Sequence, residues 1–177
     1  PDLINGEGEV LVGRPGEFTF TGGDNGNWDN PAHFVPALLP EAGETVYCDV
    51  EMETTSSPFV ADIVLTSNGN MRLRGSDHVC TGIIYMHEGT SFRYNTGGSG
   101  FTLIAPVVLK GDVKLVMESG NSAGSEMILP GKFTGNNVIT ALNNGKGTIN
   151  TGTVVLKGDN SGFSGVWHLT AGSEKSP

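Results

Sequence analysis

The chain has 177 residues, 37% of them hydrophobic and only 16% charged, with glycine supplying 27; that length suits one domain and buries enough surface, about 70% of the unfolded chain's, to fold without a metal or disulfide staple. Glycine does not recur at every third position and no apolar run approaches ~20 residues, which excludes a collagen helix and a membrane-crossing helix. A formal net charge of −9 makes nucleic-acid backbones and anionic membranes poor partners.

In chain order, short strand-like runs cover residues 9–12 and 17–21. The best helical candidate, residues 31–40, carries Pro31, Pro36 and Pro40 and is reduced to a loop or a single turn. Strand patterns then follow over 45–52, 59–65, 71–73, 79–86, 91–94, 101–104, 107–109 and 113–117. The last group covers 126–129, 132–134, 138–140, 148–150, 153–157 and 166–169. Each run is bounded by Gly, Asn, Asp or Ser, so the chain is all-β.

Turn signals recur at a nearly fixed interval. Gly75-Ser76, Gly98-Ser99 and Gly120-Asn121 form one such series, and Gly111-Asp112, Gly135-Asn136 and Gly158-Asp159 form another. The hexapeptide Val107-Val108-Leu109-Lys110-Gly111-Asp112 returns two intervals later as Val154-Val155-Leu156-Lys157-Gly158-Asp159. A period in this range predicts a parallel β-solenoid, each coil made of three short strands and three turns. In that register Val108 and Val155 stand two coils apart. A β-sandwich is the alternative, since it also has closely and evenly spaced turns. The period is weak at the start, which predicts an N-terminal cap or irregular β region over 1–62 and solenoid coils over 63–177, in one structural domain.

Residues 152–165, Gly-Thr-Val-Val-Leu-Lys-Gly-Asp-Asn-Ser-Gly-Phe-Ser-Gly, continue into Val166-Trp167-His168-Leu169-Thr170-Ala171-Gly172. This stretch resembles the autotransporter-associated β-strand repeat, with Leu156, Gly158, Asn160, Phe163, Gly165 and Gly172 filling the repeat's places. Asn27-Trp28-Asp29 followed by Gly43-Glu44-Thr45-Val46 is similar to the opening of such passenger regions. The resemblance implies a right-handed parallel β-helix in a long, secreted or surface-anchored bacterial protein.

Several motifs bear on chemistry. Gly120-Asn121-Ser122-Ala123-Gly124 has the spacing of a nucleophile elbow, but a strand ending in Pro130 follows where the chemistry needs a helix, so it reads as a turn. Asn25, Asn27 and Asp29 alternate like a calcium loop, yet Asn30 and Pro36 stand where an EF-hand needs glycine and an acid; a looser oxygen cage with Asp24 is left as the alternative to a polar turn. His33, His78, His87 and His168 fall in no metal-ligand spacing, and read as packing residues. Glu51 and Glu53 share a strand face and read as solvated edge charges. Cys48 and Cys80 are either two buried thiols or a disulfide closing a loop of about 31 residues. Trp28, Tyr85, Tyr94, Phe101 and Trp167 are candidates for sugar stacking, Trp28 first because its loop is polar, although an open solenoid end also needs covering. The expected function is a non-catalytic structural or adhesive segment of a secreted or surface-anchored bacterial protein, extracellular or on the outer surface, with a polysaccharide or a host or cell-surface glycan as partner and no cofactor or metal. The alternatives are a carbohydrate-binding module of a polysaccharide-processing protein and a lyase or esterase fragment.

Overall fold

The computed structural model describes residues 3–4, 10–11, 14–22, 26–54, 58–74, 77–94, 100–118, 126–144 and 153–170. Two short strands, β1 (Leu3–Ile4) and β2 (Val10–Leu11), pair antiparallel. The chain then winds. β3 (Glu17–Phe20) and β4 (Gly26–Asn27) precede a 3-10 turn, Pro31–His33, and β5 (Phe34–Val35). Next come β6 (Thr45–Cys48), β7 (Glu51–Glu53), β8 (Asp62–Leu65), β9 (Asn70–Leu73) and β10 (His78–Val79). β11 (Ile84–Met86), β12 (Ser91–Tyr94) and β13 (Gly100–Ile104) form one full coil; β14 (Val107–Leu109), β15 (Val113–Glu118) and β16 (Glu126–Leu129) form the next. β17 (Phe133–Thr134), β18 (Val138–Asn144), β19 (Thr153–Leu156) and β20 (Val166–Thr170) complete the described winding.

Equivalent strands stack into three sheets, in the orders β17-β14-β11-β8-β6-β3-β5, β20-β18-β15-β12-β9-β7-β4 and β10-β13-β16-β19. Within them every pairing is parallel except β3 with β5. This is the expected β-solenoid, and parallel stacking rules out the antiparallel sandwich. The ladder crosses residue 62 without a break, since Thr45 pairs with Asp62 and Val46 with Ile63. Much of the region expected to be irregular therefore already belongs to the coils.

Side chains alternate in and out along each strand, and parallel register stacks them coil upon coil. On the first face Phe18, Val46, Ile63, Ile84, Val107 and Phe133 form one buried column. On the second, Met52, Met71, Phe92 and Leu115 do the same. Burying each such side chain contributes about 1.5–3 kcal/mol. At the last described strand Leu169 continues that second column through Ala141 and is 81% exposed.

The coils are not equal in length. Val46, Ile63, Ile84, Val107 and Phe133 share one register position, and each step from one to the next is longer in sequence than the step before. The bridge from Gly135 to Phe163 continues the trend. Growth is concentrated at the connection from the second face to the third, which runs over 74–77, 95–99, 119–125 and 145–152 in successive coils. The turn signals Gly75-Ser76, Gly98-Ser99 and Gly120-Asn121 fall in these connections, outside the described residues. The repeated hexapeptide consequently does not mark equivalent positions. Its first copy lies in β14, where Val108 pairs with Tyr85 and Thr134; its second lies in β19, where Val155 pairs with Ile128. Both copies encode a strand followed by a tight corner, but they serve two different corners of the coil.

The corners are closed by side-chain acceptors and by small residues. Asp49 accepts hydrogen bonds from Thr66 Oγ1, Ser67 Oγ and the Asn68 amide, at 3.2, 3.3 and 3.0 Å. Glu88 accepts from the Asp112 amide, and Asp112 from the Val138 amide. The Asn160 side chain accepts from the Phe133 amide, which gives the repeat-motif asparagine a structural role. Between the third and first faces the backbone of one coil lies against the next. A Cβ built on Gly131 would stand 1.5 Å from the Ala105 carbonyl oxygen, and one on Gly158 would stand 2.1 Å from that of Gly131.

Gly131→Ala is therefore expected to destabilise the protein by about 3 kcal/mol, the upper end of overpacking costs. Gly43→Ala, at φ +84 with open space around it, should cost only about 1 kcal/mol for the left-handed backbone. Equal losses in urea unfolding would refute the close-packed corner. The Asn68 amide, followed by the Thr66 and Ser67 hydroxyls, holds Asp49 below the usual carboxylate range. A depressed folded pKa gives stability that is complete above the unfolded value, about 3.9, and is lost as pH falls through the folded one. The melting temperature of Asp49→Asn should accordingly fall less steeply than that of the wild type on acidification below about pH 4.

Candidate functional site

Among the described residues, the second face carries a group of paired charged side chains. Alternation turns Met52, Met71, Leu73, Phe92, Tyr94 and Leu115 inward and leaves Glu51, Glu53, Asn70, Arg72, Ser91, Arg93 and Lys114 on the outer side. Register stacks these outer residues into columns as well. One column runs Glu51, Asn70, Ser91, Lys114, and its neighbour runs Glu53, Arg72, Arg93, Val116, Leu142.

Glu51, 8% exposed, is bracketed by two arginines from later coils: Arg72 Nε lies 3.0 Å from Oε1 and Arg93 Nη1 lies 3.1 Å from Oε2. Arg74 pairs with Glu53 at 3.6 Å. These acids are thus bound into ion pairs and are not the solvated edge charges expected from the sequence. One coil on, the Ser91 hydroxyl donates to Asn70 Oδ1 at 2.6 Å. Beside them opens a cleft of about 180 Å³ lined by Asn70, Gly89, Ser91, Arg93, Lys114, Val116 and Leu142. Four of the ten Lys and Arg residues of this acidic chain, Arg72, Arg74, Arg93 and Lys114, lie on or beside the face.

Among the described side chains, the candidate aromatic residues do not assemble into a stacking platform. Trp28 is 0% exposed, stacked on Phe59 at 5.4 Å with an interplanar angle of 13° and edge-on to His78 at 6.1 Å. Phe59 in turn stacks on Phe34, which meets Phe18 and Phe20 edge-on. This cluster, with antiparallel β5, closes the N-terminal end of the coil, so Trp28 offers no face to a sugar. Tyr94 is likewise fully buried, inside the second face. Tyr85 is half-buried on the outside of the first face, with Lys110 Nζ 5.7 Å from its ring centre. Trp167 occupies the register of Ile139 in the last described strand and packs edge-on against Phe163 at 5.3 Å. Of Phe101, only its place in β13 is described.

Cys48 and Cys80 are free, buried thiols, not a disulfide. Cys48 sits on the first face, while Cys80 bridges Phe59 near the third, and the two donate to different carbonyls, Val50 and Gly82. Burial pushes both thiols up to about 12, so neither is a nucleophile at neutral pH. Among the described residues no three His, Cys, Asp or Glu side chains converge on a metal-sized site. His78 is buried, its Nε2 2.6 Å from the Arg74 carbonyl oxygen. The elbow-like run Gly120–Gly124, and Asp24 and Asn25 of the loop with calcium-like spacing, lie outside the described residues.

Sequence reasoning reached Glu51 and Glu53 but missed Asn70, Ser91, Arg93 and Lys114. The signal was present in the sequence offsets that bring Asn70, Ser91 and Lys114 into one column, both of them close to the interval between turn signals. Comparisons with protein-family models, with curated proteins and with solved structures give no match.

Truncating the end cluster tests its packing role. Trp28→Ala should lower stability by about 3–5 kcal/mol, the cost of emptying a large aromatic site. Denaturant unfolding measures it, and a loss below about 1 kcal/mol would contradict the buried position.

Proposed function

We propose that the chain is a non-catalytic structural or adhesive segment of a secreted or surface-anchored bacterial protein, related in kind to autotransporter passenger regions. The observation that carries this reading is the second face: a stack of in-register strands whose outward acids are already tied to arginines. Glycoside hydrolysis needs two carboxylates free to exchange protons or attack a sugar carbon, and Glu51 and Glu53 are instead committed to Arg72, Arg93 and Arg74. A rigid wall of fixed side chains suits contact along an extended ligand. The residues that carry the passenger resemblance each have a structural role in this fold: the Asn160 side chain accepts from the Phe133 amide, Phe163 packs on Trp167, and Gly165 lies against the Asn137 carbonyl.

A second reading, a carbohydrate-binding module of a polysaccharide-processing protein, is favoured by the cleft beside Ser91 and Arg93. A glycan array followed by product analysis tests both. The expected outcome is retention of at least one glycan class with no change in its chain length. Shortened or unsaturated products would overturn the non-catalytic reading, and an empty array would remove the carbohydrate-binding one.

A further inference from the structure

The first face carries a different surface on its outer side. Alternation turns Phe18, Val46, Ile63, Ile84 and Val107 inward and sets their sequence neighbours outward. Register stacks those neighbours in single file: Val35, Thr19, Tyr47, Val64, Tyr85, Val108 and Thr134. None of the seven is charged. Val35 is 59% and Tyr47 41% exposed, while Val64, Tyr85, Val108 and Thr134 are half-buried. The two tyrosines stand two coils apart, with Val64 between them.

The width and the rim of this strip select its occupant. A stable protein partner covers ~800 Å² on each side with roughly 20–30 residues, far more than a file one residue wide. A linear polymer lying along the solenoid axis needs no greater width. Beside the Tyr47 half of the strip, register places Glu17, Thr45 and Asp62. The Tyr47 hydroxyl donates to Glu17 Oε1 at 3.3 Å, and Asp62 Oδ1 accepts from the Ile83 amide at 2.7 Å. Beside the other half lie Lys132, next to Phe133, and Lys110. A rim of both signs around an uncharged strip, on a chain of net charge −9, favours a neutral ligand over a polyanion.

Aromatic faces take up the apolar faces of sugar rings. Each coil advances by ~4.8 Å, close to the length of one ring in an extended β-1,4-linked chain. Alternate rings of such a chain present the same face, so rings two apart meet Tyr47 and Tyr85 alike and the ring between them lies over Val64. Lys110 Nζ is 5.7 Å from the Tyr85 ring centre, near the ~6 Å limit of a cation–π contact. The side chain is exposed and free to swing toward sugar hydroxyls. From this spacing we propose that the outer strip of the first face binds a neutral, extended β-1,4-linked glycan, with Tyr47 and Tyr85 stacked on rings two apart. The proposal rests on the carbohydrate-binding reading above and places the contact apart from the cleft beside Ser91.

The test uses the whole chain in affinity electrophoresis with three polymers: hydroxyethyl cellulose, neutral and β-1,4-linked; soluble starch, neutral but α-linked and coiled; and polygalacturonate, acidic. Hydroxyethyl cellulose should retard the wild type equally at low and high salt, since no ionic contact is there to be screened, and the other two should not. Tyr47→Ala and Tyr85→Ala should each weaken binding by about threefold to tenfold, the scale of one aromatic contact. Tyr47→Phe and Tyr85→Phe keep the ring and should retain binding. Unchanged melting temperatures establish that the variants fold; where an alanine variant does not, Tyr47→Leu or Tyr85→Leu, with apolar bulk but no ring face, carries the comparison. Equal retention by starch would overturn the extended-chain assignment, and preference for polygalacturonate the neutral one. Losses in the phenylalanine variants as large as those in alanine would overturn the stacking. Binding indifferent to both alanine variants would overturn the site while leaving glycan binding standing. No retention by any of the three polymers would overturn this proposal, while hits for other glycans on the array would keep the carbohydrate-binding reading.

Discussion

Parallel, in-register stacking of one coil on the next sets the core, the corners and the surface of this molecule. Hydrogen bonds between coils fix the strand spacing at ~4.8 Å, so each paired strand residue lies above and below the same structural position in its neighbours. Apolar positions merge into continuous columns such as Val46, Ile63, Ile84 and Val107. Corner positions become columns of backbone contact, where Ala105, Gly131 and Gly158 leave no room for a larger side chain in the last two. Interior apolar residues need few neighbours in sequence, because their partners lie one coil away. A chain with 37% hydrophobic residues thus maintains a closed core.

The same stacking creates a difficulty at the coil's end, where backbone groups and apolar columns would lie open. At the N-terminal side the chain answers it with β5, which pairs antiparallel to β3 and takes up its free edge. The aromatic group of Trp28, Phe34 and Phe59 then covers the core beneath. Arg14 reinforces this end by forking onto Glu44, with Nε–Oε1 and Nη2–Oε2 distances of 2.7 and 2.9 Å, while its guanidinium lies over Phe18. The Arg14 contact holds the Glu44 carboxyl below its usual range.

Stacking also concentrates charge. Side chains of one column cannot avoid one another, so like charges must be separated or compensated. On the second face compensation comes from neighbouring columns: Glu51 draws Arg72 and Arg93 toward itself from two later coils. The outer surface becomes an ordered array of charges paired between coils. That property follows from the fold's geometry, since no short stretch of sequence contains Glu51, Arg72, Arg93 and Lys114 together.

Most strands, the turns and the repeating winding were legible in the residues, because alternation and Gly/Asn punctuation are local demands that each residue expresses alone; the two-residue strands Leu3–Ile4, Gly26–Asn27 and Phe34–Val35 were too short to show a pattern. The sequence also indicated an end-covering role for Trp28 beside the sugar-stacking one, through the need to close an open coil. What it could not determine was which corner each turn serves. The two copies of Val-Val-Leu-Lys-Gly-Asp satisfy the same local requirement, a strand running into a sharp bend, and lie on different faces because the coils from Val46 onward lengthen one after another. A fixed period accumulates error as the coils lengthen, and with it the assignment of partners across the sheet. Tertiary structure alone decided that Cys48 and Cys80 stay apart, that Tyr94 turns inward and Tyr85 outward on different faces, and that Arg93 and Lys114 flank Ser91. Each is a question of register between coils, fixed by the summed lengths of every connection that precedes it.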